Sequence, residues 1–186
     1  MTEQKYYNNI KKAWRETSEP LIFNGKQWYW EHREYCNTLA LKHNLTLQQV
    51  CGIFAALSPL KSVAENKRIC ERFLEGKRYG HTKMQINKAK KILKTYEPDK
   101  IDAVLKGDKT VAFFRHLYTP WNDDYVVIDR HIIKICNNGK TVNITSKRYK
   151  LMANAIKRLA KELSLYSSEC QAVLWYLAKK KYGYNV

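Results

Sequence analysis

Four short signals for starting a helix recur along this chain, and they restrict its fold more than any other feature. Thr46-x-x-Gln49, Ser62-x-x-Glu65, Thr82-x-x-Gln85 and Ser168-x-x-Gln171 each match a capping box. In that motif two side chains satisfy backbone N–H groups that a helix start leaves unpaired. After Thr46, the residues Leu47, Val50, Ile53, Phe54 and Leu57 recur at helical spacing until Ser58 and Pro59 stop the run, which makes this the helix expected to be most deeply buried. The run from Ser62 ends at Gly76 and that from Thr82 before Pro98. Further helices are expected over KQWYWEHREYCNTLALKH, over DKIDAVLK up to Gly107, from about Lys109 to Pro120, over TSKRYKLMANAIKRLAKELS, and from Ser168 to Gly183. The extended candidates, YVVI before Asp129 and TVNIT around Asn143, are each too short to found a sheet. The expected fold class is all-α.

No repeat, low-complexity tract or Pro/Gly/Ser linker divides the 186 residues, so a single domain of two closely packed helical lobes is expected. An apolar fraction of 45 % with 12 % aromatic residues lies far from disordered compositions. The start MTEQKYYNNI has no apolar core of a signal peptide, and no segment approaches the roughly 18 apolar residues of a membrane span. A soluble, cytoplasmic monomer with no membrane partner is the expectation. The five cysteines, Cys36, Cys51, Cys70, Cys136 and Cys170, are spread out with no CxxC or CxxH pair. That spacing fits reduced, buried thiols rather than a zinc or iron-sulfur site, and no metal or cofactor is expected.

Lys and Arg number 34 against 17 acidic residues, a net charge of +17. Such a field most often meets nucleic acid, through phosphate neutralisation and counterion release. The charge is also blocked. Between Glu75 and Glu97 the charged residues are Lys77, Arg78, Lys83, Lys88, Lys90, Lys91 and Lys94, and a second acid-free block runs from Lys134 to Lys161. Solvated helix faces give the same pattern; two such blocks flanking one segment favour a shared polyanion-binding surface.

The segment they flank holds two short helices joined by the turn KGD, then a loop, then VVIDRHIIKIC from Val126 to Cys136. Asp129 falls where the apolar run gives way to a helix. Asp is a favoured N-cap, and capping and catalysis are compatible roles for one carboxylate.

LKGDKTVAFFRHLY followed by VVIDRHIIKIC resembles the helix-hairpin-helix DNA glycosylase superfamily, the group of endonuclease III and the 8-oxoguanine glycosylases. There a hairpin of the form LPGVGxKTA precedes a VDxHxxR segment. Gly107 occupies the hairpin's second glycine, Lys109 and Thr110 stand at its KT, Asp129 and His131 at the Asp and His, and Lys134 at the basic residue. The match covers roughly residues 99 to 136, with the hairpin at about 99–118, and TPWNDDY forms an extra loop. The hairpin's proline and first glycine are absent, Leu105 and Lys106 standing there, and the four cluster cysteines of endonuclease III are missing. A looser likeness is to uncharacterised phage proteins of glycosylase-like fold, some linked to hypermodified thymine, in which segments like FAALSPLKSVAEN and ECQAVLWYLAKKK accompany the hairpin.

The resemblance implies a DNA glycosylase without an iron-sulfur cluster, acting on a damaged or modified base in double-stranded DNA. N-glycosidic cleavage builds positive charge on the deoxyribose, which a nearby carboxylate stabilises while orienting the nucleophile. Asp129 is that candidate. Lys109 is the candidate amine for Schiff-base formation and strand cleavage, with phosphate contact or plain solvation as its other roles. His131 and Thr110 are supporting candidates, and Gly107, Arg130, Lys134 and Lys61 are candidates for DNA contact. A flipped base needs a pocket and a wedge, for which Ser58, Asn66, Gln48 and Trp28 are candidates. Two other functions fit the same residues: a phage base-hypermodification enzyme that retains the base, and a non-catalytic helix-hairpin-helix DNA-binding protein.

Overall fold

A computed structural model describes residues 2–77 and 80–183. The described residues form ten α-helices and no strand. They are α1 (Glu3–Trp14), α2 (Glu19–His43), α3 (Leu47–Leu57), α4 (Val63–Leu74), α5 (Lys83–Ile92), α6 (Pro98–Leu105), α7 (Asp108–Tyr118), α8 (Arg130–Cys136), α9 (Ser146–Glu162) and α10 (Ser167–Lys181). The all-α expectation holds. Arg78 of the first basic block lies outside the described residues.

The chain divides into two compact units, one of Met1–Glu31 with Thr119–Val186 and one of His32–Tyr118. The boundary falls within α2. In the second unit α3 is the hub, contacting α4, α5, α6 and α7, and it is buried continuously from Gln49 to Leu57. A helix apolar on every face needs neighbours on every face. Gly52 at its middle lets Ile101 approach: a Cβ there would lie 2.8 Å from Ile101 Cγ2.

The first unit packs α1 against α9 and α8, and α10 against α8 and α9. Its core takes Tyr6, Ile10, Ile132, Ile135, Met152, Ile156 and Leu174. α1 is absent from the sequence expectations, although Thr2 caps it and Tyr6, Tyr7, Ile10 and Ala13 form one buried stripe at helical spacing. Those expectations also start α2 seven residues late, at Lys26 instead of Glu19. Gly25, inside that missed turn, is where α2 meets α10: a Cβ there would stand 2.3 Å from Val173 Cγ2 and 2.6 Å from the Val173 nitrogen.

Of the four capping signals, one forms the complete box and two only its hydroxyl half. Thr46 and Gln49 make the full reciprocal box, and the Ser62 and Thr82 hydroxyls accept from Glu65 N–H and Gln85 N–H. The fourth is corrected. α10 begins one residue before Ser168, and the carboxylate of Glu169 accepts Tyr166 N–H at 3.0 Å. Ser168 instead donates its hydroxyl to the Pro120 carbonyl at 2.6 Å, and Ser167 donates to the Tyr125 carbonyl at 3.0 Å. Burial explains the change: both serines are inside the fold, where loop carbonyls need partners more than an exposed helix start does. The five cysteines are all buried free thiols.

Candidate functional site

Asp129 is placed by its flanks. Upstream, Val126 and Ile128 are buried in the first unit's core, and the Tyr149 hydroxyl on α9 donates to the Val126 carbonyl at 2.8 Å while accepting Ile128 N–H at 3.4 Å. Downstream, the fully buried Ile132 and Ile135 anchor α8, each contributing about 1.5–3 kcal/mol through burial. One carboxylate oxygen, Oδ1, accepts the N–H groups of both His131 and Ile132 at 2.9 Å. Asp129 is thus the N-cap of α8. The other oxygen, Oδ2, accepts no hydrogen bond among the described residues, and the residue is only half-buried. The cap therefore fixes the carboxylate through one oxygen and leaves the second for another partner.

Around it lies a polar and aromatic cluster within the same unit. His131 is buried, and its ring packs edge-on to Trp175 at 6.0 Å. Trp175 meets Trp28 at 6.0 Å, and the Lys179 ammonium lies 4.4 Å from the Trp175 ring centre. Tyr29, packed edge-on to Trp28 at 4.7 Å, donates its buried hydroxyl to Gln171 Oε1 at 2.8 Å. Gln171, Trp175 and Lys179 are spaced four residues apart, which sets them on one face of α10.

The electrostatics follow from burial. Desolvation pushes the His131 imidazole below its ordinary value; the Asp129 charge opposes this, and the cations Arg130, Lys179 and Lys134 add to it. A neutral ring results at pH 7, and its Nε2 accepts from Arg130 Nε at 3.4 Å, an acceptor role closed to imidazolium. Burial also lowers the Lys179 ammonium. Tyr29 is raised well above its ordinary value, by burial first and then by the nearby Asp129 charge and Tyr149. The cluster thus offers a fixed carboxylate, a neutral imidazole and an indole wall beside a partly desolvated amine.

Of the residues singled out from sequence, the structure gathers Asp129, Arg130, His131, Lys134 and Trp28 in this unit. Arg130 is exposed, and Lys134 is half-buried with its ammonium 5.7 Å from the Tyr182 ring centre. The others belong to the second unit. There Lys109 is exposed on the first turn of α7, Thr110 is half-buried behind it, and Gly107 makes the turn at φ +81°. Lys61 pairs with Glu65 at 2.6 Å. Gln48 is half-buried on the first turn of α3.

Ser58 and Asn66 have a structural use that sequence did not show. The end of α3 leaves carbonyls without helical partners. Ser58 Oγ donates to Ala55, the Asn66 amide to Phe54 at 3.1 Å, and the His81 ring contacts the Leu57 carbonyl at 2.9 Å. Asn66 Oδ1 stays buried without a hydrogen bond among the described residues. Tyr29, Tyr149, Trp175 and Lys179 are not among the residues that the sequence singles out. The four-residue spacing along α10 is the signal that marks Trp175 and Lys179.

No helix among the described residues is long and apolar enough to cross a membrane. Fold and site define an all-α protein of two helical units with a carboxylate–histidine–tryptophan cluster in the first. Residues 1–182 match a family of unknown function, DUF7178, and the chain belongs to it. No curated protein and no solved structure matches the chain.

Proposed function

We propose that the protein is a DNA glycosylase that excises a damaged or modified base, with Asp129 as the catalytic carboxylate. The observation that carries this reading is the division of labour within Asp129: Oδ1 is held by two backbone N–H groups, while Oδ2 accepts no hydrogen bond among the described residues. A carboxylate serving only as a cap needs no aromatic wall or buried imidazole beside it. One that must face a deoxyribose needs a fixed direction and a free oxygen. As the glycosidic bond lengthens, Oδ2 stabilises the positive charge growing on the sugar and holds the attacking water. Trp175, half-buried beside His131, supplies an apolar face for an extruded nucleotide. The charge of +17 supports a polyanionic substrate.

Lys109, exposed on α7, is the amine for a lyase step, in which its nitrogen bonds to the sugar carbon as the base departs.

The test is incubation of the protein with duplexes that each carry one damaged or modified base. Alkali-labile abasic sites, lost in Asp129→Asn, are the expected result. An altered but retained base would replace excision by base modification, and intact DNA throughout would leave a binding protein. Borohydride trapping of a covalent complex, lost in Lys109→Ala, is expected if the lyase step operates.

A further inference from the structure

A concave surface in the second unit gathers positive charge. Between α5 and α6 lies a cleft of about 700 Å³. Lys83, Lys88 and Lys91 from α5 and Lys106 from the end of α6 line it together with the apolar Met84 and Val104. No acidic residue lines it among the described residues. The nearby acids of α6 are engaged elsewhere, since Asp99 and Asp102 both pair with Arg115 at 2.6 Å. None of the four lysines pairs with a carboxylate among the described residues; the Lys88 ammonium donates to the Leu105 carbonyl, capping the end of α6. Burial, and then the Lys106 charge, lower the Lys88 ammonium, as expected of cations crowded together.

Lys106 adds an independent sign. Its backbone stands at φ 55°, ψ 148°, a region that essentially only glycine adopts without strain. Gly107, at φ +81°, follows it, so a second glycine would build this turn at lower cost. The exposed lysine gives the fold nothing in return: its backbone N–H bonds to Asp102, and its side chain has no acidic partner. A strained backbone that carries an unpaired cation into a cleft of cations is arranged for an anion.

We propose that the α5–α6 cleft binds the phosphodiester backbone of a DNA strand, with Lys106 as its anchoring contact. This rests on the DNA-substrate reading above and goes beyond it by naming the surface that holds the strand. Lys83 to Lys91 spans about 12 Å of helix. At about 3.4 Å per phosphate along one strand, that length serves roughly three phosphates. Met84 and Val104 lie against the sugars.

Lys106→Gly separates function from fold because the two effects have opposite signs. Removing the strain raises the melting temperature by roughly 2–4 °C, while removing the ammonium from one phosphate weakens duplex binding. The probe is a short fluorescein-labelled duplex, read by anisotropy across a salt series in the Asp129→Asn background so that nothing turns over. Each phosphate left without its lysine makes the slope of log affinity against log salt shallower by about 0.9. Lys106→Gly is therefore expected to change it by about one, and Lys83→Ala/Lys91→Ala/Lys106→Gly by two to three. Lys5→Ala/Lys12→Ala/Lys180→Ala, an equal charge change on the other unit, should change it by less than one. An unchanged slope in the cleft variants, or an equal change in that control, overturns the proposal. So does inorganic phosphate binding as tightly as the duplex, which would mark a small-anion site. The proposal and the reading it rests on fail separately. Base excision by the wild type with an unchanged slope removes the cleft alone, and a shallower slope with no base excised from any duplex removes the glycosylase alone.

Discussion

At the scale of single residues, Asp129 allows cap and catalyst to be separated by one substitution. Asn caps a helix about as well as Asp, so Asp129→Asn should leave the melting temperature within about a degree or two while excision falls by at least about 100-fold, the order seen when a transition-state contact is removed. Asp129→Ala should lose both, with a stability cost of about 1 kcal/mol. Excision surviving in Asp129→Asn would reduce the residue to a cap. His131 predicts a pH effect whose sign is fixed by burial. Its folded value lies below the ordinary 6.5, so the unfolded chain binds more protons as pH falls through that region. Stability from the neutral ring is therefore full above about 6.5 and declines as pH drops through the folded value. His131→Gln should flatten this decline in melting temperature between about pH 6.5 and 5; an unchanged decline assigns it to other groups.

At the scale of elements, two tight fits govern the site. Tyr149 on α9 holds the segment before Asp129 with one hydroxyl serving two backbone groups. Tyr149→Phe should cost about 1–3 kcal/mol in chemical denaturation, because a carbonyl and an N–H in a half-buried setting lose their partner, and it should slow excision by loosening Asp129. Gly25→Ala should cost about 1–3 kcal/mol as an overpacking change, since its Cβ would meet the Val173 backbone as well as its Cγ2. Equal stability to the wild type would show that α2 and α10 can move apart freely. In the α3–α4 turn, Leu60→Gly should not destabilise the protein, because it removes an exposed side chain from a left-handed position. Much of this scale was legible: the caps at Thr46, Ser62 and Thr82 and the helix at Asp129 follow from local chemistry. Ser168 was not, because whether a serine caps its own helix or ties down a distant loop carbonyl depends on what packs against it.

At the scale of the whole molecule, the charge of +17 gives the proposed DNA substrate a measurable signature. With six or more phosphate contacts, duplex affinity should fall by about 10³ between 50 and 200 mM salt, measured by anisotropy. A shallow dependence would remove nucleic acid as the partner. By itself the sequence determined the all-α class, most helix boundaries, the charge blocks and the carboxylate at the start of α8, because each rests on contacts within a few residues. Tertiary structure alone decided which aromatics surround that carboxylate, how Tyr149 holds its approach, and that Ser58 and Asn66 close the end of α3. It also decided that four lysines from two helices share one cleft. Those arrangements join residues far apart in the chain, and periodicity within one helix carries no information about which face of another it will meet.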